Sequence, residues 1–266
     1  MSPFWGSPTA SVDWCEADYR FSPIVCELFN TVSSLAMVLG GILGWSLHRR
    51  ALEGRFSVAF GLLAFVGVGS AAFHATLRFG LQMLDELPMV YLALVLLLIL
   101  VDDRPSRRMG PWLPIGLAAY GAAITALMSR TRGSVEFWTF EVSFTALETF
   151  CVLRLLALYR RSDSPAARRL IRFGLGSYFA GIFVWYVDLR FCGFVAKTLP
   201  EHGLFNPQLH AVWHILSTAG LYCVLVATGH ERLRSLGASP RLGRLYGLVP
   251  YVTTQGPWIR APVRSQ

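Results

Sequence analysis

A mostly apolar stretch, residues 67–87, carries polar side chains that could do chemistry. Ser70 and His74 are four residues apart, so they share one face if this segment is helical. A tight turn centred between residues 79 and 80 would then place His74 and Asp85 at the same depth on two facing helices. Buried polar groups are costly unless they are paired or bind an ion, so this cluster predicts a metal site.

Two further histidines, His210 and His214, are also four residues apart, near the start of the last apolar stretch. Three imidazoles with an open fourth position suit a catalytic zinc, which lowers the pKa of bound water toward about 7 and polarises a carbonyl. Asp85 is then placed to act as a base or to orient a ligand, and Ser70 to donate to a developing oxyanion. The alternative is a polar cluster that only stabilises the fold.

The N-terminal segment, residues 1–26, and the residue that follows it hold four carboxylates, Asp13, Glu16, Asp18 and Glu27. Oxygen ligands two or three residues apart, closed by a later Glu, resemble a calcium loop. The spacing does not match the standard EF-hand, and a solvated acidic loop remains the simpler alternative.

Composition places these residues in a membrane protein. The chain has 266 residues, of which 54% are hydrophobic and only 15% charged, whereas a soluble domain carries about a quarter charged residues. Mean hydropathy is +0.48. Seven apolar stretches reach the roughly 20 residues that span a bilayer. We therefore expect an all-α bundle of seven transmembrane helices, without a separate soluble domain, whose spans are 27–48, 56–77, 82–101, 111–129, 135–159, 173–192 and 207–229.

The net charge of +8 indicates topology rather than nucleic-acid binding. Of the 24 Lys and Arg residues, 17 follow spans one, three, five and seven, and only six lie on the opposite side. The positive-inside rule then places the N-terminus in a lumen and the tail, residues 231–266, in the cytosol. We expect this tail to be loosely ordered, with an anchor near residues 246–251, and we expect no cleavable signal peptide in residues 1–25.

In this topology the candidate metal ligands gather at one membrane level. The second span runs outward and the third and seventh run inward, so His74, Asp85, His210 and His214 all lie near the lumenal ends. The remaining histidines lie in loops or at helix ends, where we expect surface residues: His48, His202 and His230.

Three acidic residues within the spans, Glu141, Glu148 and Asp188, are assigned no role, although ionisable groups inside a membrane are functional candidates.

The five cysteines are an odd number. Cys15 and Cys192 both fall on the oxidising side, where a disulfide can form, and Cys26 is a competing partner. Two more lie within spans as small buried side chains, Cys151 and Cys223.

Several motifs resemble those of the alkaline ceramidases, integral-membrane amidases of a superfamily that includes the adiponectin receptors. The resemblance covers nearly the whole chain, and its QMLDELPM run is most similar to the phytoceramidase-type branch. It rests on VDWCEADY, Glu27 with FNT, GVGSAAFHATL, QMLDELPM, the Asp188 and Cys192 pair, LHAVWHIL and VPYV.

The resemblance implies two metal sites. His74, His210 and His214 would bind zinc, with Ser70 and Asp85 catalytic. The calcium ligands would be Asp13, the carbonyl of Trp14, Glu16, Asp18 and Glu27. The family usually has Asn where this chain has Asp18, which adds a negative charge to the calcium site. The resemblance also supports a Cys15–Cys192 disulfide and a location in the endoplasmic reticulum or Golgi membrane.

The expected function is therefore a zinc amidase, modulated by calcium. It would cleave the N-acyl bond of ceramide to a sphingoid base and a fatty acid, with the substrate arriving sideways from the bilayer. We expect no nucleic-acid partner and predict no protein partner. One alternative is a receptor of the adiponectin type with a mainly structural zinc. Another is a zinc transporter, which would need a polar path through the cytosolic half, where the relevant spans are apolar.

Overall fold

The computed structural model describes residues 3–103 and 110–254 of the chain. Within them, seven helices are long and apolar enough to cross a membrane, which confirms the seven predicted spans. Helices α1 (Leu28–Ser33) and α2 (Leu35–His48) together form the first span. The other six are α3 (Gly54–Thr76), α4 (Phe79–Val101), α5 (Trp112–Arg130), α6 (Ser134–Arg161), α7 (Pro165–Arg190) and α9 (Leu209–Ser235).

Shorter elements complete the fold. A π-helical turn, Phe194–Thr198, and helix α8, Leu199–Glu201, connect α7 to α9. Strands β1 (Pro240–Leu245) and β2 (Val249–Thr254) follow α9 and form an antiparallel hairpin. Five arginines that enter the charge count lie outside the described residues: Arg104, Arg107, Arg108, Arg260 and Arg264.

Successive helices run in opposite directions, so the bundle has two distinct ends. The end of α3 and the starts of α4 and α9 lie together at what we call the site end. The opposite end carries the β-hairpin, and we call it the hairpin end. An apolar core fills the bundle toward the hairpin end and includes Phe56, Phe60 and Leu225, none of which is exposed. Gly174 of α7 and Gly220 of α9 let the two helices touch, since a Cβ at either would strike the other's carbonyl oxygen at 2.9 or 2.8 Å.

The turn between α3 and α4 lies earlier than the sequence predicts. Helix α3 ends at Thr76, Leu77 adopts a left-handed φ of 47°, and α4 already begins at Phe79. Gly80 is thus inside the first turn of α4 rather than in the connection. The predicted pairing of His74 with Asp85 is therefore wrong, because Ser70, not His74, is as far from the centre of this turn as Asp85.

The tail is more ordered than expected. Helix α9 continues to Ser235, and the hairpin packs against α2 and α9. The Val252 N–H donates to His48 Nε2 (3.2 Å), and the Tyr222 hydroxyl donates to the Pro250 carbonyl (3.0 Å). Tyr246 is 92% exposed, so within the predicted anchor, residues 246–251, the contact comes from Pro250 of β2.

Two histidines expected at the surface are buried. His48 is 1% exposed and packs beneath the hairpin. His230 is 5% exposed and is hydrogen-bonded to its neighbour Glu231 (3.0 Å). His202 is exposed, as predicted.

The N-terminal segment lies over the site end and is held there by hydrogen bonds to the α3–α4 turn. The Leu77 carbonyl accepts the N–H groups of Thr9 (2.9 Å) and Ala10 (3.1 Å). The Ser11 N–H donates to the buried Gln82 side chain at 2.7 Å. These contacts satisfy the turn's backbone groups and place residues 13–16 next to α9.

Candidate metal centre and active site

Three imidazoles meet at the site end, where α3 contributes His74 and α9 contributes His210 and His214. One nitrogen from each ring lies within 4.8 Å of the other two. His74 is 0%, His210 5% and His214 3% exposed. The four-residue spacing on α9 puts both of its histidines on one face, and the antiparallel arrangement brings His74 to the same level. A cluster of neutral imidazoles of this kind is a donor set typical of zinc.

Hydrogen bonds orient two of the rings. His74 Nδ1–H donates to Glu27 Oε2 at 2.5 Å. The other ring nitrogen, His74 Nε2, is buried without a partner among the described residues. Ser33 Oγ donates to the Asn30 carbonyl (3.0 Å) and can accept from His214 Nδ1–H (2.8 Å). Both rings therefore keep Nε2 free, as metal-binding histidines do when a second partner holds Nδ1.

The third ring, His210, is held by stacking. The Trp14 indole lies parallel to it, with ring centroids 3.8 Å apart and an interplanar angle of 25°. The Asp188 carboxylate lies close to the backbone N–H of His210. That carboxylate accepts the Cys15 N–H at 3.1 Å. The buried Asp188 thus joins the start of α9 to the N-terminal segment, a role that its position in the sequence does not predict.

Cys15 and Cys192 form a disulfide, with Cα atoms 5.2 Å apart. Cys26, the competing partner, is free and buried, as are Cys151 and Cys223. The disulfide fixes the residue next to Trp14 to the end of α7. It therefore supports the stacking of Trp14 on His210.

Ser70 and Asp85 face each other across the α3–α4 interface. Their side chains lie close together, and Ser34 Oγ lies 3.0 Å from Ser70 Oγ. The helices approach closely here, since a Cβ on Gly69 would strike the backbone carbonyl of Leu84. Asp85 is outside the group of three imidazoles that could share an ion. Its position fits a base or hydrogen-bond acceptor beside the centre better than a fourth ligand.

A second group of possible metal ligands consists of Asp13, Asp18 and Glu27. One carboxylate oxygen from each of these residues lies within 4.8 Å of the other two. Burial, followed by the negative charge of Asp18, raises the pKa of Asp13. Burial, with the charges of Asp13 and Asp18, also raises the pKa of Glu27 well above its ordinary value. Carboxylates that repel each other in this way are stabilised by a cation, and oxygen ligands suit calcium.

Glu16, also predicted to bind calcium, makes different contacts. Its two carboxylate oxygens accept the N–H groups of Phe29 (2.7 Å) and Asn30 (2.9 Å) at the start of α1. It caps that helix, and it is not in the group of three carboxylates. Burial raises the pKa of Glu16, and the two backbone hydrogen bonds oppose that rise.

Glu27 connects the two groups. Oε2 holds His74, while Oε1 is buried and has no partner among the described residues. One carboxylate therefore contacts a predicted zinc ligand and belongs to the predicted calcium cluster. The sequence assigns Glu27 only to the calcium site, because nothing in its spacing relates it to His74, 47 residues further on.

A mainly apolar cavity of about 480 Å³ extends from this centre into the bundle. Near the centre, its wall includes Ser70, Asp85, His210 and His214. Further along it is lined by apolar residues of α4, α6, α7 and α9, with Glu141 and Glu148 on α6. Some lining residues are also exposed on the outer face of the bundle, including Leu153 of α6 (57%) and Phe179 of α7 (51%). The cavity thus lies between α6 and α7, where a bilayer would surround it.

Comparisons with known proteins identify the family of this chain. A family model described as Ceramidase matches residues 6–253. The chain is 30% identical over 258 residues to "Alkaline ceramidase" of Arabidopsis thaliana, and the match covers 97% of both chains. It is 30% identical over 255 residues to "Alkaline ceramidase 3" of Mus musculus, covering 94% of both. It is also 30% identical over 261 residues to "Alkaline ceramidase YPC1" of Saccharomyces cerevisiae, covering 88% of this chain and 80% of that one.

Proposed function

Because this chain belongs to the alkaline ceramidase family and is a ceramidase hydrolase, we propose that it is a zinc-dependent, calcium-modulated amidase. It hydrolyses the N-acyl bond of ceramides to a sphingoid base and a free fatty acid within the membrane. The observation that carries this proposal is the group of three buried imidazoles at the head of an apolar cavity whose wall also includes Ser70 and Asp85.

The donor set fits zinc. His74, His210 and His214 would hold the ion, which when bound would supply an activated water and polarise the amide carbonyl. His74 is supported by Glu27 and His214 by Ser33, so both rings are fixed before an ion arrives. Fixed ligands reduce the cost of assembling the site.

The residues beside the centre move the protons. Asp85 accepts a proton from the attacking water and returns it to the nitrogen of the leaving amine, so that the C–N bond breaks without an amide anion. The Ser70 hydroxyl lies beside the Asp85 carboxylate. It donates to the oxyanion when the amide carbon becomes tetrahedral. The products are a carboxylic acid and an amine, and the atoms of one water are divided between them.

The cavity accounts for a lipid substrate. Its walls are mostly apolar, and its lining reaches the outer faces of α6 and α7, so acyl chains can pass between these helices from the bilayer. The volume of about 480 Å³ falls in the range of small-molecule sites. The amide then lies at the imidazoles and the chains lie along the apolar walls.

Calcium is proposed to bind Asp13, Asp18 and Glu27, with Glu16 and the Trp14 carbonyl as further predicted ligands. The Glu27–His74 hydrogen bond supports this proposal, because it links a cation at the carboxylates to a zinc ligand through the Glu27 side chain. The N-terminus would face the lumen of the endoplasmic reticulum or Golgi. Membership of the phytoceramidase-type branch remains a prediction from the QMLDELPM run.

The experiment is ceramide hydrolysis by purified protein, comparing wild type with His210→Ala and Ser70→Ala. Loss of a ligand should abolish turnover, and loss of one oxyanion donor should lower kcat by about 10²–10³-fold. Normal turnover in the His210 variant would contradict the zinc mechanism.

A further inference from the structure

Trp14 is the aromatic residue most closely associated with the metal centre. Its ring stacks on that of His210 with centroids 3.8 Å apart, and the centroid of the Trp185 ring lies 6.3 Å away. Trp14 is also part of the cavity wall, together with Ser70, Asp85 and His214. An atom of this indole is therefore close to any amide bound at the imidazoles.

The backbone around Trp14 is fixed by covalent and polar contacts. The next residue, Cys15, forms the disulfide with Cys192 and donates its N–H to Asp188 (3.1 Å). The Cys15 carbonyl accepts a hydrogen bond from Asn206 Nδ2 (3.0 Å). A donor on such a rigid residue loses little conformational entropy when a ligand binds, so it can contribute fully to affinity.

The indole nitrogen is the unexplained group. Trp14 Nε1 is buried and has no hydrogen-bond acceptor in the described ranges 3–103 and 110–254. An indole N–H can only donate, and a buried donor without an acceptor is costly. A ligand that brings an oxygen to this place removes that cost, and the cavity is where such a ligand would bind.

The chemistry of the proposed substrate identifies the acceptor. In a ceramide, the amide carbonyl oxygen is directed to the zinc site and Ser70, which leaves the hydroxyl oxygens on the neighbouring carbons C1 and C3. We propose that the Trp14 N–H donates to one of these hydroxyl oxygens and thereby selects N-acyl amino alcohols over fatty amides without hydroxyl groups. This inference rests on the proposed function and adds the group that the site recognises beside the scissile bond.

The test combines one variant with a substrate series. Trp14→Phe keeps an aromatic ring on His210 and the backbone carbonyl but removes the N–H. The substrates are a ceramide, its 1-deoxy and 3-deoxy analogues, and an N-alkyl amide of the same length without hydroxyl groups. The matched control is Trp138→Phe, because Trp138 is 60% exposed on α6 and outside the cavity wall.

The expected result is a fall in kcat/KM of roughly 3- to 10-fold for the ceramide in Trp14→Phe, mainly through KM. The fall should disappear for the one deoxy analogue that lacks the contacted hydroxyl, and for the hydroxyl-free amide. Zinc content should equal that of wild type, and Trp138→Phe should retain wild-type kinetics. An equal loss on all four substrates, or no loss on any, would overturn the inference.

The wild-type protein provides a test even if Trp14→Phe does not fold. Wild type should hydrolyse the analogue that lacks the contacted hydroxyl roughly 3- to 10-fold less efficiently than the ceramide. Equal kcat/KM on all four amides contradicts the Trp14 contact but leaves the ceramidase proposal intact. Absence of hydrolysis of the ceramide itself contradicts both.

Discussion

Each of the three imidazoles is held by a different kind of neighbour. His74 is bonded to a carboxylate, His214 to a hydroxyl, and His210 is stacked under an indole. Two of these supporting residues, Trp14 and Glu27, come from the N-terminal segment and the residue after it. The geometry of the proposed zinc site therefore depends on residues that precede the first transmembrane helix, and disturbing them should change metal affinity.

Ser33→Ala tests this support at one hydrogen bond. Without the Oγ acceptor, His214 Nδ1–H loses its partner, and zinc affinity should fall about 10- to 100-fold. The measurement is zinc content after equilibration at a series of buffered free-zinc concentrations. Ser143→Ala is the control, since the hydroxyl of this buried serine donates to the Phe140 carbonyl of its own helix. Equal zinc affinity in the two variants would contradict a supporting role for Ser33.

Asp85→Asn separates catalysis from metal binding. Asn cannot accept the proton, so kcat should fall about 10²- to 10⁴-fold, whereas zinc content should not change because Asp85 is outside the ligand group. The measurements are single-turnover ceramide hydrolysis and metal analysis on the same preparation. If the variant lost its zinc, Asp85 would be a ligand rather than a base.

Sequence alone identifies the residues of the centre by type but not their partners. His74, His210, His214, Ser70 and Asp85 are recognisable because polar groups are rare in apolar spans. Ser33 is not, because a serine near a helix end is typical of packing as well as of hydrogen bonding to a ligand. Its contact with His214 joins residues 181 positions apart, and only the packing of the first span against α9 produces it.

At the scale of elements, helices α3 and α4 act as one unit. Gly69 sits directly against the Leu84 carbonyl and the Asp85 N–H, so the backbones touch where Ser70 meets Asp85. The small residue sets the distance between the two helices. The distance between the base and the oxyanion donor therefore follows from backbone packing rather than from side-chain length.

Gly69→Ala should push these helices apart. Overpacking of this kind costs about 1–3 kcal/mol, and activity should fall with stability because Ser70 and Asp85 separate. Gly61→Ala on the same helix is the control, because a Cβ there meets nothing within 4 Å; alanine should stabilise a helix interior by about 0.5–1 kcal/mol. Thermal unfolding and ceramide hydrolysis measure both effects, and an active, fully stable Gly69→Ala protein would refute this explanation.

Hydropathy predicts the seven helices well but not how their connections are made. The sequence predicts the α3–α4 turn too late in the chain because Gly80 resembles a helix breaker, whereas Leu77 takes the left-handed conformation. The sequence does not predict the β-hairpin, because β1 is rich in Arg and contains Gly and Pro, β2 contains a Pro, and neither strand shows a clear alternation. Its position is determined by contacts with His48 and Tyr222, which are distant in sequence.

For the whole molecule, charge and polarity are distributed along one axis. The two groups of candidate metal ligands lie at the site end, and most arginines follow spans that end at the hairpin end. Positive residues remain in the cytosol, so the metal centre should face a lumen. An epitope at the N-terminus should be protected in sealed microsomes and become accessible after permeabilisation. An epitope at the C-terminus should be accessible from the start, and the reverse pattern would contradict this orientation.

Metal removal and restoration test the central claim most directly. Purified protein is stripped with a chelator, and ceramide hydrolysis is measured before and after zinc is added back, in wild type and in His210→Ala. Wild type should lose turnover on stripping and recover it with about one equivalent of zinc, and His210→Ala should stay inactive. Full turnover by metal-free wild type, or recovery in His210→Ala at that same single equivalent, would contradict a zinc centre built from His74, His210 and His214.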